Sequence, residues 1–72
     1  MNTLIKTPEE LGSAIRKRRK KAGLTQKKTA DLAGIGVRFL SELERGKPTA
    51  QIGKTLMVAQ LLGLELQIYE RS

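Results

Sequence analysis

The chain has 72 residues with 14 Lys+Arg against 7 Asp+Glu, a formal charge of +7, and neither cysteine nor histidine. A single domain is the most such a length supports, near the size where burial barely offsets chain entropy; without cysteine or histidine there is no disulfide framework, no thiolate zinc site and no histidine base or triad, so no enzyme, cofactor or metal chemistry is expected. No apolar stretch approaches the roughly 18 residues of a membrane span, and the basic run begins at Arg16 rather than leading an apolar signal segment, so a mature, soluble, cytoplasmic protein is expected.

Thr7-Pro8-Glu9-Glu10 predicts a helix start, with Thr7 as cap, Pro8 at the first helical position and Glu10 completing a capping box. Leu11, Ala14, Ile15, Arg18 or Arg19, and Ala22 follow at spacings of three and four, and Gly23 closes the first helix. Its apolar face runs into six consecutive basic residues, Arg16-Lys17-Arg18-Arg19-Lys20-Lys21, which give residues 1–36 nine Lys/Arg against three acids while residues 37–72 hold five against four. Such a run suits a phosphate-binding patch, an anionic-membrane anchor, a localisation signal or a solvated helix face. The membrane reading is disfavoured because the opposite face lacks Trp and Phe and is needed for the core.

Thr25 caps a second helix of about two turns that presents Ala30 and Ala33 and stops at Gly34; a helix this short must pack on its neighbours. Gly36 begins a third, with Val37, Leu40 and Leu43/Glu44 on one side, terminated by Gly46-Lys47-Pro48. Thr49 or Gln51 starts the fourth, with Ile52, Leu56, Ala59 and Leu61 or Leu62 along one face, Met57 on the flank and Gly63 as its left-handed stop. Beyond Gly63 the period falls to two: Leu64, Leu66 and Ile68 alternate with Glu65, Gln67 and Tyr69, a strand signal. A lone strand is unstable, so it pairs either with Met1–Ile5 or with the same strand of a second subunit.

A short helix, a tight glycine turn and a helix with polar side chains near its start form a helix-turn-helix. Ala30 permits a close crossing, Gly34 turns the chain, and Ile35 and Leu40 wedge the angle from beneath. The start of the third helix then projects into a major groove while the N–H groups of the second face a phosphate. The motifs T-Q-x-x-x-A-x-x-x-G and L-x-x-L-E-R-G-K-P-T, over residues 8–63, resemble the XRE helix-turn-helix family of phage repressors and Cro proteins. G-K-P-T-A-Q-I-G-K followed by L-G-L-E-L resembles its HipB-type, Y4mF-like antitoxins. Two positions depart from the usual pattern: Thr29 stands where an apolar residue is common, and Gly36 replaces a Ser/Thr cap.

The resemblance puts Val37, Arg38 and Glu42, with Ser41 beside them, in the slots that read base edges. Their chemistry agrees: Arg38 can pair bidentately with guanine O6/N7, Val37 can touch a thymine methyl, and Glu42 can either accept from cytosine N4 or orient Arg38 or Arg45 as an ion pair. Gln26 matches the family's phosphate-contacting glutamine, at a helix terminus that itself favours an anion. Lys27, Lys28, Gly36, Phe39, Lys47 and Thr49 flank that side as further phosphate contacts, each lysine having a solvated surface charge as its plainer reading, and Phe39 a packing role. Arg19 lies on the apolar stripe and Glu44 on the inward face of the third helix; the resemblance implies that they form an internal ion pair. With Phe39 and Tyr69 as the only aromatics, base stacking is a poor main mechanism.

The expectation is an all-α, lambda-repressor-like bundle of about four helices with a short C-terminal strand. It divides into an N-terminal arm (1–7), a helix-turn-helix domain (8–63) and a dimerisation strand (64–72) in which Leu64, Leu66, Ile68 and Tyr69 meet the partner. The resemblance implies a homodimeric repressor on a palindromic double-stranded operator, with half-sites about 34 Å apart. It further implies an antitoxin that represses its own operon and binds a HipA-like Ser/Thr kinase toxin. The alternative is an interaction module that mainly inhibits a partner kinase, with weak or lost DNA binding.

Overall fold

The structure, a computed structural model, describes residues 3–71. Four helices follow one another: α1 (Pro8–Lys21), α2 (Gln26–Ala33), α3 (Val37–Glu44) and α4 (Ile52–Leu61). α1 starts on the expected capping box: the Glu10 N–H donates to Thr7 Oγ1 and the Thr7 N–H donates to Glu10 Oε1, both at 3.1 Å. Thr25 caps α2 by accepting from the Lys28 N–H at 3.1 Å. Gly36 and Gln51, which precede α3 and α4, supply no side-chain cap.

All four helices close in one way. The N–H of the residue after the terminating glycine reaches back five positions, Leu24 to Arg19 O, Ile35 to Ala30 O, Lys47 to Glu42 O and Leu64 to Ala59 O, at 2.8–3.1 Å. This is the Schellman closure, and its apolar partner is present at Leu24, Ile35 and Leu64, which pack against the core.

That core is Ile15 of α1, Ala30 and Ala33 of α2, Leu40 and Leu43 of α3, Val58 of α4 and Leu62 just past its end. α1 meets α3 almost backbone to backbone at Gly12. A Cβ there would lie 2.8 Å from the Glu44 carbonyl oxygen and closer still to that of Leu43, so only glycine allows the approach.

The structure corrects two expectations. On α4 the buried positions are Thr55, Val58, Ala59 and, just past its end, Leu62, whereas Ile52, Leu56, Met57 and Leu61 are exposed. The expected face holds at Ala59 and Leu62, but Thr55 and Val58, which complete the same row at spacings of three and four, take the inward places expected of Ile52 and Leu56. The Leu64–Glu70 strand is also not formed. Residues 64–71 make no ladder among the described residues, which include 3–5 of the Met1–Ile5 segment; a strand needs a partner edge, and none of the described residues of this chain provides one. Leu64 itself is spent closing α4; Leu66, Ile68 and Tyr69 stay exposed, Ile68 at 97%. Met1 and Asn2 of the arm and Ser72 of the expected strand lie outside the described residues.

Candidate nucleic-acid interface

Gly34, at φ 71° and ψ 32°, turns the chain between α2 and α3. Ile35 is half-buried beneath that turn and Leu40 fully buried behind it. With α3 so anchored, its first turns face outward: Val37 is 47% exposed and the Arg38 side chain 90%, with Ser41 and Glu42 half-buried one turn on. The four positions proposed for base readout therefore form one stripe on a fixed helix.

Glu42 within that stripe is already engaged. Lys47 Nζ donates to its Oε1 at 3.2 Å, and Arg38 Nε lies 3.7 Å from its Oε2. The Lys47 hydrogen bond, opposed by desolvation and aided by the charges of Lys47, Arg38 and Arg45, holds the Glu42 carboxyl below the usual glutamate range. Of the two roles open to Glu42, the ion pair is thus realised in the free protein, with Lys47 as the nearer partner. Lys47 is correspondingly tethered beside α3.

Where α1, the start of α2 and α3 converge there is an open groove of about 470 Å³ lined by Arg16, Arg19, Gln26, Ser41, Glu44 and Arg45. Its floor is a buried network. Arg19 Nε donates to Glu44 Oε2 at 2.6 Å and Nη2 to Oε1 at 2.9 Å, while Nη1 donates to the Leu24 carbonyl at 2.8 Å. Gln26 Nε2 donates to Glu44 Oε1 at 3.0 Å. Burial pushes the Glu44 carboxyl up, but the hydrogen bonds of Arg19 and Gln26 and the Arg19 charge together outweigh it, so the group sits below its ordinary range; the same pairing raises Arg19. The pair is neutral in sum, which leaves Arg16 and Arg45 to give the groove its positive sign.

The six-residue basic run therefore has distinct parts. Arg16 faces the groove, Arg18 Nε donates to the Leu62 carbonyl at 2.8 Å and so caps the end of α4, Arg19 is interior, and Lys17, Lys20 and Lys21 are exposed. Sequence reading missed Arg16 and Arg45 as groove residues. The usable signal was local: Arg16 precedes Arg19 by one helical turn and Arg45 follows Glu44 directly. It also missed Lys54, whose ammonium stands 5.5 Å from the centre of the half-buried Phe39 ring. Of the remaining flanking positions, Lys27 pairs with Asp31 at 3.3 Å on an exposed helix face, and Lys28, Gly36 and Thr49 are exposed. Leu64, Leu66, Ile68 and Tyr69 do not join this site. No helix among the described residues is long and apolar enough to cross a membrane.

Comparison with known proteins agrees with this architecture. A helix-turn-helix family model, HTH_3, matches residues 15–69. An uncharacterized HTH-type transcriptional regulator, y4mF of Sinorhizobium fredii (strain NBRC 101917 / NGR234), is 52% identical over 64 residues, 89% of this chain and 84% of that protein. Among solved structures, a HipB-O4 20mer complex and a HipA-HipB-O2-O3 complex each superpose with a TM-score of 0.88 at 22% identity, covering 99% of this chain and all of the matched chain; the fold is HipB-like. With most of its length matched by the family model and a relative this close, the chain belongs to the HTH_3 family of helix-turn-helix proteins, the XRE type of transcriptional regulator.

Proposed function

We propose that this protein is a sequence-specific double-stranded DNA-binding repressor that acts as a homodimer. The observation that carries the reading is the exposed stripe Val37, Arg38, Ser41 and Glu42 on an anchored α3, set beside a groove lined by Arg16, Arg45 and Gln26. Base readout falls to the stripe; Gln26 and the flanking Lys27, Lys28, Gly36, Phe39, Lys47 and Thr49 meet backbone phosphates, and Arg16 and Arg45 join them. Dimerisation brings two such faces onto a palindrome, with Leu66, Ile68 and Tyr69 of each tail against the partner. The HipB-like fold and the HipA-HipB complex that shares it support the finer reading: the protein serves as the antitoxin of a type II toxin-antitoxin module, repressing its own operon and neutralising a HipA-like Ser/Thr kinase by direct binding.

Selection of duplexes from a random pool, followed by salt titration, tests the DNA reading. Affinity for the selected duplex should fall steeply with salt. Arg38→Ala should erase its advantage over bulk DNA, and Lys27→Ala should weaken all sequences alike. Recovery of no duplex that binds better than random sequence would leave the kinase-inhibiting module as the better account. Co-expression with a kinase-like product of the adjacent reading frame tests the antitoxin role: a stable complex with suppressed autophosphorylation is expected, and two independent monodisperse species would remove that part of the reading.

A further inference from the structure

The carboxylate of Glu44 accepts three hydrogen bonds, two from Arg19 and one from the Gln26 amide nitrogen. A carboxylate can only accept, so it selects the nitrogen end of that amide and excludes the flipped arrangement. One Gln26 N–H is consumed, and the second stays with a side chain that lines the groove of Arg16, Ser41 and Arg45. An unrestrained glutamine would sample several rotamers and both amide orientations, half of which offer a lone pair to an anion. Glu44 by itself would put negative charge under that groove. Arg19, held in turn by the Leu24 carbonyl, cancels it.

Stability alone gives little reason for this arrangement, because buried ion pairs are commonly replaceable by packed hydrocarbon without loss. Hydrocarbon cannot make the bond to Gln26. Resting on the reading of Gln26 as a phosphate contact, we propose that Glu44, with its charge neutralised by Arg19, is a positioning residue for DNA binding: it fixes the Gln26 amide so that the remaining N–H meets a backbone phosphate.

The experiment is a double-mutant cycle on a short mixed-sequence duplex at low salt, where phosphate contacts dominate. Gln26→Ala is measured in the parent protein and in a background carrying Arg19→Met with Glu44→Leu. That background removes one charge of each sign, so the net charge is unchanged, and thermal melting checks that it is folded. Gln26→Ala should weaken parent binding roughly five-fold and change the background by less than about two-fold, because there the amide is already unrestrained. An equal loss in both backgrounds overturns the positioning role while leaving Gln26 a phosphate contact. No loss in the parent means that Gln26 is not a contact, and the proposal falls with that reading. Should the hydrocarbon background not fold, the Gln26 side-chain amide decides in the intact protein. One of its two protons protected from exchange and moved away from the shift of an exposed glutamine amide supports the proposal, and both protons exchanging rapidly at the ordinary exposed shifts overturn it.

Discussion

Thr29 is fully buried in α2 and its hydroxyl has no hydrogen-bond partner among the described residues. An orphaned buried hydroxyl costs about 1–3 kcal/mol, and valine has nearly the same shape. Thr29→Val should therefore stabilise the fold by about 1 kcal/mol and raise the melting temperature by roughly 4–8 °C; an unchanged or lower midpoint would show that the hydroxyl is satisfied. Glu44 gives a residue-scale pH dependence. Its carboxyl is held below the value it has in the unfolded chain, so its contribution is complete above the ordinary glutamate pKa of about 4.3 and is lost as the pH falls from there through the lower folded value. The difference in unfolding free energy between the parent and Glu44→Gln should be level at neutral pH and shrink below about pH 4.3. A difference that grows with acid would reverse the sign of the argument.

Among the elements, α3 has a weak beginning: Gly36 is extended at φ −75° and ψ 145°, makes no side-chain cap and has open space around its Cα. A serine fits that conformation and can accept from an orphaned N–H of the first turn, so Gly36→Ser should add roughly 0.5–1 kcal/mol by urea denaturation. Gly12 looks equally plain in sequence and behaves oppositely. Gly12→Ala should separate α1 from α3 and lower stability by about 2 kcal/mol or more, because the obstructing atoms are backbone. What was legible at this scale was whatever local chemistry decides: the caps Thr7 and Thr25, the glycine stops and all four helices. What was not legible depends on a neighbour's shape. Periodicity alone could not choose between Leu56 and Thr55 as the inward residue of α4, and the alternation of Leu64, Leu66 and Ile68 announces a strand without supplying its partner. Within the site, Arg19 and Glu44 were visible as charges on apolar stripes; Arg16 and Arg45 stand beside them in sequence, a local signal, but share one groove through the α1–α3 packing.

At the scale of the whole molecule, the apolar groups that one chain leaves uncovered are concentrated on α4 and the tail: Ile52, Leu56, Met57, Leu61, Leu66 and Ile68. A domain this small seldom has apolar surface to spare, which favours a partner subunit. Deleting residues 65–72 while keeping Leu64, which closes α4, should leave a folded monomer with weakened duplex binding. A truncated protein that still sediments as a dimer would place the interface on α4 instead. The charge of +7 divides in the same way: Arg19 and Glu44 cancel within the interior, Arg18 is occupied by a helix end, and only the exposed remainder should contribute to a salt slope.

The chain contains one tyrosine and no tryptophan, and that tyrosine, Tyr69, is 68% exposed near the end of the tail. Its ultraviolet emission is thus an intrinsic, label-free reporter in the tail proposed to meet the partner subunit. If the proposed dimer forms, dilution of the unmodified protein should shift that signal with a concentration dependence that gives the dimer constant directly, while the α3 face proposed to read the duplex carries no competing fluorophore of comparable strength.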